Sequence, residues 1–219
     1  MPREKQADKI KRAGRIESKL FAYYGPGMAS LNYYDPFSLL VAVVLSAQCT
    51  DAAVNKATPA LMKANPDCYT MAKASVDNIA HYIKTLGFYR AKAKHLQALA
   101  QKLVSNFDGI VPADISLLQS LDGVGRKTAN VVMCEAFKLP SGIAVDTHVF
   151  RIAHRLKLVG PCATSPEKVE KALLKLFLKH DWIYINHQLV HFGREFCSAR
   201  NPRCAQCILR DECPSCTQE

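Results

Sequence analysis

An all-α fold is predicted by three features of this 219-residue sequence. Apolar residues recur at i, i+3 and i+4 in several windows, start and stop signals bracket those windows, and no stretch sustains the period-2 alternation of a half-buried strand. From Arg90 to Phe107, the residues Leu96, Leu99, Ala100, Leu103, Val104 and Phe107 form one helical stripe, with Gly109 and Pro112 as stops. Pro166 to His180 repeats the spacing through Val169, Ala172, Leu173, Leu176 and Phe177, after the start signals Thr164, Ser165, Pro166 and Glu167. Phe37 to Ala47 is apolar on nearly every side, as a fully buried helix requires. A short helix beginning at Asp114 or Ser116 ends near Leu121, and a partner helix runs from Lys127 to Phe137. Val149, Ile152, Ala153 and Leu156 make a further amphipathic run that starts just past Asp146.

Composition narrows the function. The 29 Lys+Arg against 19 Asp+Glu leave a net charge of +10. That balance favours a polyanionic partner, most simply DNA or RNA, although charge alone describes a bare basic surface equally well. The longest apolar run, around Leu39 to Leu45, is far shorter than the roughly 20 residues of a membrane span. The opening residues are charged and no apolar stretch follows them, so no secretory signal is expected and the cytoplasm is the expected location. Nine cysteines, an odd number, point to a metal site in a reducing compartment rather than to a disulfide framework.

Four of those cysteines, Cys197, Cys204, Cys207 and Cys213, are spaced C-x6-C-x2-C-x5-C in a segment too short to build its own core. A [4Fe–4S] cluster takes four cysteine ligands, and so does a tetrahedral zinc ion. Cys216 adds a second C-x2-C, so that Cys204, Cys207, Cys213 and Cys216 read as a zinc set. The spacer within that set is short beside the roughly 12–20 residues usual for zinc. Spacing therefore favours iron–sulfur and leaves zinc open. Cys49, Cys68, Cys134 and Cys162 are dispersed and read as packing residues.

The most informative stretch is Leu121-Asp122-Gly123-Val124-Gly125-Arg126-Lys127-Thr128-Ala129. Gly123 and Gly125 permit a tight turn between two helices and let backbone N–H groups approach a phosphate. An ordinary helix corner would use the same glycines for close packing; Arg126, Lys127 and the basic total favour phosphate, gripped without regard to base sequence. Lys127 is either one more phosphate contact or a nucleophile. A nucleophilic lysine needs a neutral amine, and both the positive end of a helix dipole and the adjacent Arg126 disfavour the ammonium form. Asp146, in Val145-Asp146-Thr147-His148, is first of all a helix N-cap, and a carboxylate there is also able to manage charge or protons.

Taken together, these segments resemble the endonuclease III family of helix-hairpin-helix DNA repair enzymes. The resemblance spans nearly the whole chain: Leu45 to Asp51 (LSAQCTD), Gly123 to Asn130 (GVGRKTAN), Val145 to His148, and the cysteine spacing. It implies a DNA glycosylase with abasic-site lyase activity, built from a six-helix domain over 29–139 and a second domain of residues 1–28 plus 140–219. The second domain would carry a [4Fe–4S] cluster on Cys197, Cys204, Cys207 and Cys213, with Cys216 outside the set. DNA would lie across the cleft between the domains. By the same match Lys127 is the nucleophile and Asp146 the essential carboxylate. Gln48 and Phe88 match residues that enter the stack when a nucleotide has left it, where an apolar wedge helps to part base steps; their plain alternatives are a helix-end cap and a core aromatic. Gly123, Gly125, Arg126, His148, Arg200 and Arg203 are the remaining implied DNA contacts. The expected partner is duplex DNA with damaged bases, mainly oxidised pyrimidines, or abasic sites, met by a monomer at the nucleoid.

The sequence departs from the family pattern at Asp122, where proline is common, at Cys49, where alanine is usual, at Gln119, where an acid is frequent, and at Asn201, where a lysine occurs. None of these removes a catalytic group. Three rivals stay open: an adenine-mismatch glycosylase, which typically lacks this lysine and adds a C-terminal domain; a thymine-mismatch glycosylase; and a non-catalytic DNA-binding module with structural zinc.

Overall fold

The computed structural model describes residues 4–26 and 30–216, and no strand occurs among them. The chain divides into two compact units, Ala29–Leu139, and Met1–Met28 together with Pro140–Glu219.

Ala29–Leu139 holds α2 (Pro36–Leu45), α3 (Asp51–Ala64), α4 (Cys68–Lys73), α5 (Val76–Ile83), α6 (Tyr89–Phe107), α7 (Ile115–Gln119) and α8 (Arg126–Phe137). That is seven helices among the described residues rather than six. The six-residue α4 is too short to show a periodic stripe; Asp67 and Thr70 start it by exchanging side-chain and backbone bonds in a capping box. Asp35 and Ser38 do the same for α2, with Pro36 in its first turn. Phe37 through Leu45 are all buried, so α2 is the axis of this unit and packs on α3, α6 and α8. It ends at Leu45, two residues before Ala47. The buried Lys92 of α6 brings its amine 2.9 Å from the Leu45 carbonyl, a cation at the negative end of the helix. Gln48 then takes a left-handed conformation (φ 55°) that a helix cannot continue through.

The second unit contains α1 (Gln6–Tyr24), α9 (Thr147–Arg155), α10 (Pro166–Leu173) and α11 (Trp182–Glu195), with short 3-10 turns at Lys179–Asp181, Cys204–Gln206 and Arg210–Glu212. Its core joins Ile16 and Leu20 of α1 to Val149, Ile152, Val169, Leu173, Ile185, Leu189 and Phe192. The helix expected from Pro166 to His180 stops at Leu173. Leu176 and Phe177 keep their buried places from a turn instead, and the Phe177 carbonyl accepts the Trp182 indole N–H at 3.1 Å. α1 is tied in by the buried Arg12. Its guanidinium donates to the carbonyls of Leu156 (2.8 Å) and Glu212 (3.0 Å) and pairs with both carboxylate oxygens of Glu4. One further reading is corrected by burial: Cys162 is exposed rather than packed, whereas Val104 and Phe107, partly buried, pack against the core from α6.

Candidate functional site

The turn between α7 and α8 is built from its ends inward. Asp114 caps α7, accepting the N–H groups of Ser116 and Leu117 at 2.8 and 2.9 Å. Leu121 and Val124 are buried and anchor the turn, and the Val124 N–H donates to the Leu121 carbonyl at 3.2 Å. The two glycines do different work. Gly123 sits at φ +77°, and a Cβ there would lie 3.1 Å from that of His95, so neither backbone nor space accepts another residue. Gly125 has ordinary extended geometry, and a Cβ there would meet nothing within 4 Å. The space beside Gly125 is open, and as N-cap it offers no side-chain oxygen to the first N–H groups of α8. A bare helix start of this kind suits an anion. Arg126 is half-buried, whereas Lys127 is exposed in the first turn, and no ion pair holds its amine among the described residues.

In the same unit Gln48 and Phe88 form a second feature. Both carry left-handed backbones, φ 55° and 57°, and both are exposed, Phe88 to 69%. A bulky aromatic at positive φ is uncommon, and its side chain finds no core to justify it. The two turns adjoin: a Cβ on Gly87 would be 3.9 Å from the Gln48 carbonyl oxygen and 3.9 Å from the Cys49 sulfur. The core-aromatic alternative for Phe88 is thereby excluded.

Asp146 belongs to the other unit and caps α9, its Oδ1 accepting the Val149 N–H at 2.8 Å. It is half-buried, and this bond leaves Oδ2 for other work. His148, in the first turn of α9, is half-buried against Gly193, where an added Cβ would fall 2.7 Å from its Nδ1. Burial lowers its pKa; Asp146 opposes that shift, and Arg151 and Arg194 add to it. His148 therefore sits at the packing of α9 on α11 and favours its neutral form.

Five cysteines line one cavity of about 120 Å³ in this unit: Cys197, Cys204, Cys207, Cys213 and Cys216. Cysteine sulfurs around one cavity are the ligand type that an iron–sulfur cluster takes. Burial raises the pKa of the Cys204, Cys207 and Cys213 thiols, that of Cys207 to about 11, and the neighbouring cysteines raise them further. Four thiolates so crowded require positive charge at their centre, which iron supplies. The Leu209 N–H points at the Cys207 sulfur, 3.4 Å away. Arg155 of α9 reaches the Cys197 sulfur (3.3 Å) and the carbonyls of Ser198 (2.6 Å) and Ala199 (2.7 Å). Arg151 donates to the Cys197 carbonyl at 2.9 Å, so α9 clamps the start of the cysteine loop.

The same loop presents Arg200 and Arg203, both exposed, around an open depression of about 810 Å³. Arg210 completes it. Sequence reasoning missed Arg210 because it lies beyond the loop that carries the other two and is brought to them only by the turns around Cys204–Gln206 and Arg210–Glu212. Arg151 and Arg155 were missed for another reason: on a helix stripe they read as ordinary exposed-face cations.

Comparison with known proteins agrees with this geometry. The model of the HhH-GPD superfamily of base excision DNA repair proteins matches residues 41–179, and that of the iron–sulfur binding domain of endonuclease III matches residues 197–213. The chain is 44% identical over 211 residues to endonuclease III of Synechocystis sp., with 96% of this chain and 95% of that one covered. It is 43% identical over 183 residues to endonuclease III of Escherichia coli (strain K12), covering 84% and 85%. Among solved structures it superposes on a trapped endonuclease III–DNA covalent intermediate with a TM-score of 0.88 at 38% identity, over 94% of this chain and 96% of that one. A non-covalent endonuclease III–DNA complex matches with the same score and identity over 94% and 95%. The chain therefore belongs to the endonuclease III family, within the HhH-GPD superfamily of base excision DNA repair proteins, and bears that family's iron–sulfur domain.

Proposed function

We propose that the chain removes damaged bases, chiefly oxidised pyrimidines, from duplex DNA and then cleaves the strand 3′ to the abasic site. The observation that carries this reading is Lys127: an exposed amine, held in no ion pair among the described residues, in the first turn of a helix whose open glycine start suits a phosphate. The same placement serves a nucleophile delivered to a sugar whose neighbouring phosphate is already gripped. The relative that was trapped as a covalent intermediate with DNA supports the same chemistry.

The proposed sequence begins with salt-sensitive contacts from the Gly123–Gly125 turn and from Arg200, Arg203 and Arg210 to backbone phosphates. The damaged nucleotide leaves the stack, at a cost of a few kcal/mol that damage reduces. Phe88 and Gln48 fill the gap. The Lys127 amine attacks C1′ through its nitrogen lone pair; a carbon–nitrogen bond forms as the glycosidic bond breaks, and the base departs with the electron pair and takes up a proton. Asp146, through the oxygen its helix cap leaves over, stabilises the positive charge on the sugar and relays protons. The sugar ring opens to a Schiff base on Lys127. Loss of a C2′ proton then expels the 3′ phosphate, and water hydrolyses the imine to free the lysine. Cys197, Cys204, Cys207 and Cys213 hold the [4Fe–4S] cluster, whose contribution is to fix the arginine-bearing loop. The enzyme acts as a monomer, in the cytoplasm at the nucleoid.

A panel of single-lesion duplexes, scored separately for base release and strand cleavage, tests the reading. Oxidised pyrimidines should be the best substrates. Lys127→Gln should abolish both activities while retaining DNA binding. Asp146→Asn preserves the helix cap and should lower both rates by about 10²–10⁴-fold. Base release by Lys127→Gln at the wild-type rate would refute the lysine's role, and a fully active Asp146→Asn would reduce Asp146 to a cap.

A further inference from the structure

The depression of Arg200, Arg203 and Arg210 does not hold all the concentrated positive charge of its unit. A second open depression, of about 330 Å³, is lined by Lys9 of α1, Lys168 and Lys171 of α10, and Lys175 of the turn that follows α10. No Asp or Glu lines it, and no residue is shared with the arginine depression. Lys168, Lys171 and Lys175 are exposed, and no ion pair holds them among the described residues. Lys9 is half-buried and lies near the Glu4 carboxylate, whose two oxygens Arg12 already engages. The acids of α10, Glu167 and Glu170, stay outside the depression and have interactions of their own. Lys168 and Lys171 stand three residues apart on one helix face, where like charges repel. Cations so placed, with no acid among them, call for an anion from outside.

The depression lies apart from the chemistry. Asp146 caps the first turn of α9, and Leu158, Val159 and Gly160, which line the depression, follow its last turn. The helix between them is nine residues long, about 13 Å at a rise of 1.5 Å per residue. The lining also selects the kind of anion. Its large apolar members, Leu158, Val159 and Leu176, are buried, and no large exposed hydrophobic side chain joins them. A protein partner docks on apolar and aromatic anchors, which are missing here. A small anion is held by an enclosed set of fixed donors, whereas these lysines ring an open surface. Exposed cations of this kind match the repeated phosphates of a nucleic-acid backbone.

We propose that the lysine depression is a second DNA-backbone site, apart from Asp146 and from the arginine depression. It holds a second duplex segment through phosphate contacts and reads no bases. A chain that grips two segments passes from one to the other without first entering free solution, which suits a search for rare lesions. The inference goes beyond the proposed function and requires only that the chain binds duplex DNA.

The test is the rate at which the full chain leaves a fluorescent lesion-free duplex as unlabelled duplex is added. Direct transfer makes that rate climb with the concentration of added duplex. Lys168→Gln/Lys171→Gln/Lys175→Gln should weaken this dependence about tenfold or more, the scale on which surface charge raises association rates. The same variant should release base from a short single-lesion duplex at the wild-type rate. Lys56→Gln/Lys63→Gln/Lys73→Gln removes equal charge from α3 and α4 and should transfer like wild type. A wild-type rate indifferent to added duplex, an undiminished dependence in the first variant, or an equal loss in the second would overturn the proposal. So would a matching loss of base release in the first variant, which would place its lysines in the footprint of the first duplex. Acceleration by poly-glutamate as strong as that by duplex would overturn the choice of DNA. Wild type that transfers between duplexes yet releases no base would refute the proposed function and leave the second site standing.

Discussion

The two units of the chain reach a fixed structure by different routes. Ala29–Leu139 is organised around an apolar axis: Phe37 through Leu45 are buried without exception, and side-chain caps at Asp35, Thr50, Asp67, Ser75 and Asp114 start five of its helices. Hydrophobic burial and local caps suffice there, and both act between residues close in sequence or of like kind. The unit of Met1–Met28 and Pro140–Glu219 has its own apolar core but adds polar ties across long sequence distances. Arg12 reaches residues 156 and 212, Arg15 grips Glu212, and Arg155 holds the cysteine loop from Cys197 to Ala199. A loop with too few apolar residues to bury must be held by charge, backbone hydrogen bonds and metal. The residues that would do chemistry follow the same division. Lys127 stands on a scaffold set by packing, and Asp146 and the arginine loop on one set by polar bonds.

That contrast can be broken at three points. The largest effect is expected at Arg12. Arg12→Met leaves two buried carbonyls and the Glu4 carboxylate without their donor, at a cost of about 3 kcal/mol. Chemical denaturation should show this loss, and limited proteolysis should open the region around Cys197–Cys216 before Ala29–Leu139. Simultaneous opening of both units would contradict the separation drawn here.

Next come the hairpin glycines. Gly123→Ala forces a Cβ into the left-handed region and against His95, and should destabilise by about 1–2 kcal/mol. Gly125→Ala has room and ordinary dihedrals, so stability should change by no more than about 0.5 kcal/mol. Its effect should fall on DNA affinity, because the added methyl occupies the space a phosphate would enter. Thermal melts and binding titrations of the two variants separate the roles; unchanged affinity in Gly125→Ala would show that the open face beside it is not a DNA contact.

The smallest effect concerns acid. The hydrogen bond from Arg12 holds the Glu4 carboxyl below its ordinary value, although partial burial pushes it the other way. A carboxyl whose pKa is depressed on folding stabilises above its unfolded value, near 4.5, and that stability is lost as pH falls through the lower folded value. The difference in melting temperature between wild type and Glu4→Gln should be constant at neutral pH and shrink below about pH 4.5. Glu4 is a third exposed, so the difference should be worth no more than about 1 kcal/mol. A difference that persists unchanged to pH 3 would mean that the pair contributes nothing through its charge.

Legibility in the sequence followed the same contrast. Features written within a few residues were readable: the hairpin from its two glycines, the cap at Asp146, the stripe of α6, the cysteine spacing. Whatever depended on distant partners was not. Arg12 looks like any basic residue of an amphipathic helix, since its partners lie 144 and 200 residues away. Pro166–His180 kept its helical spacing to the end, but the chain turns after Leu173, where a continuous helix and a turn bury the same side chains. Phe88 could not be told from a core aromatic until its backbone was seen to be left-handed and its ring exposed. Arg210 became part of the basic depression only through the fold of the cysteine loop.

Borohydride reduction during reaction with abasic duplex DNA, followed by peptide mass mapping of the adduct, tests the central claim most directly. A stoichiometric protein–DNA crosslink with the sugar remnant on Lys127 is expected. A crosslink on any other amine, or strand cleavage with no crosslink formed, would contradict it.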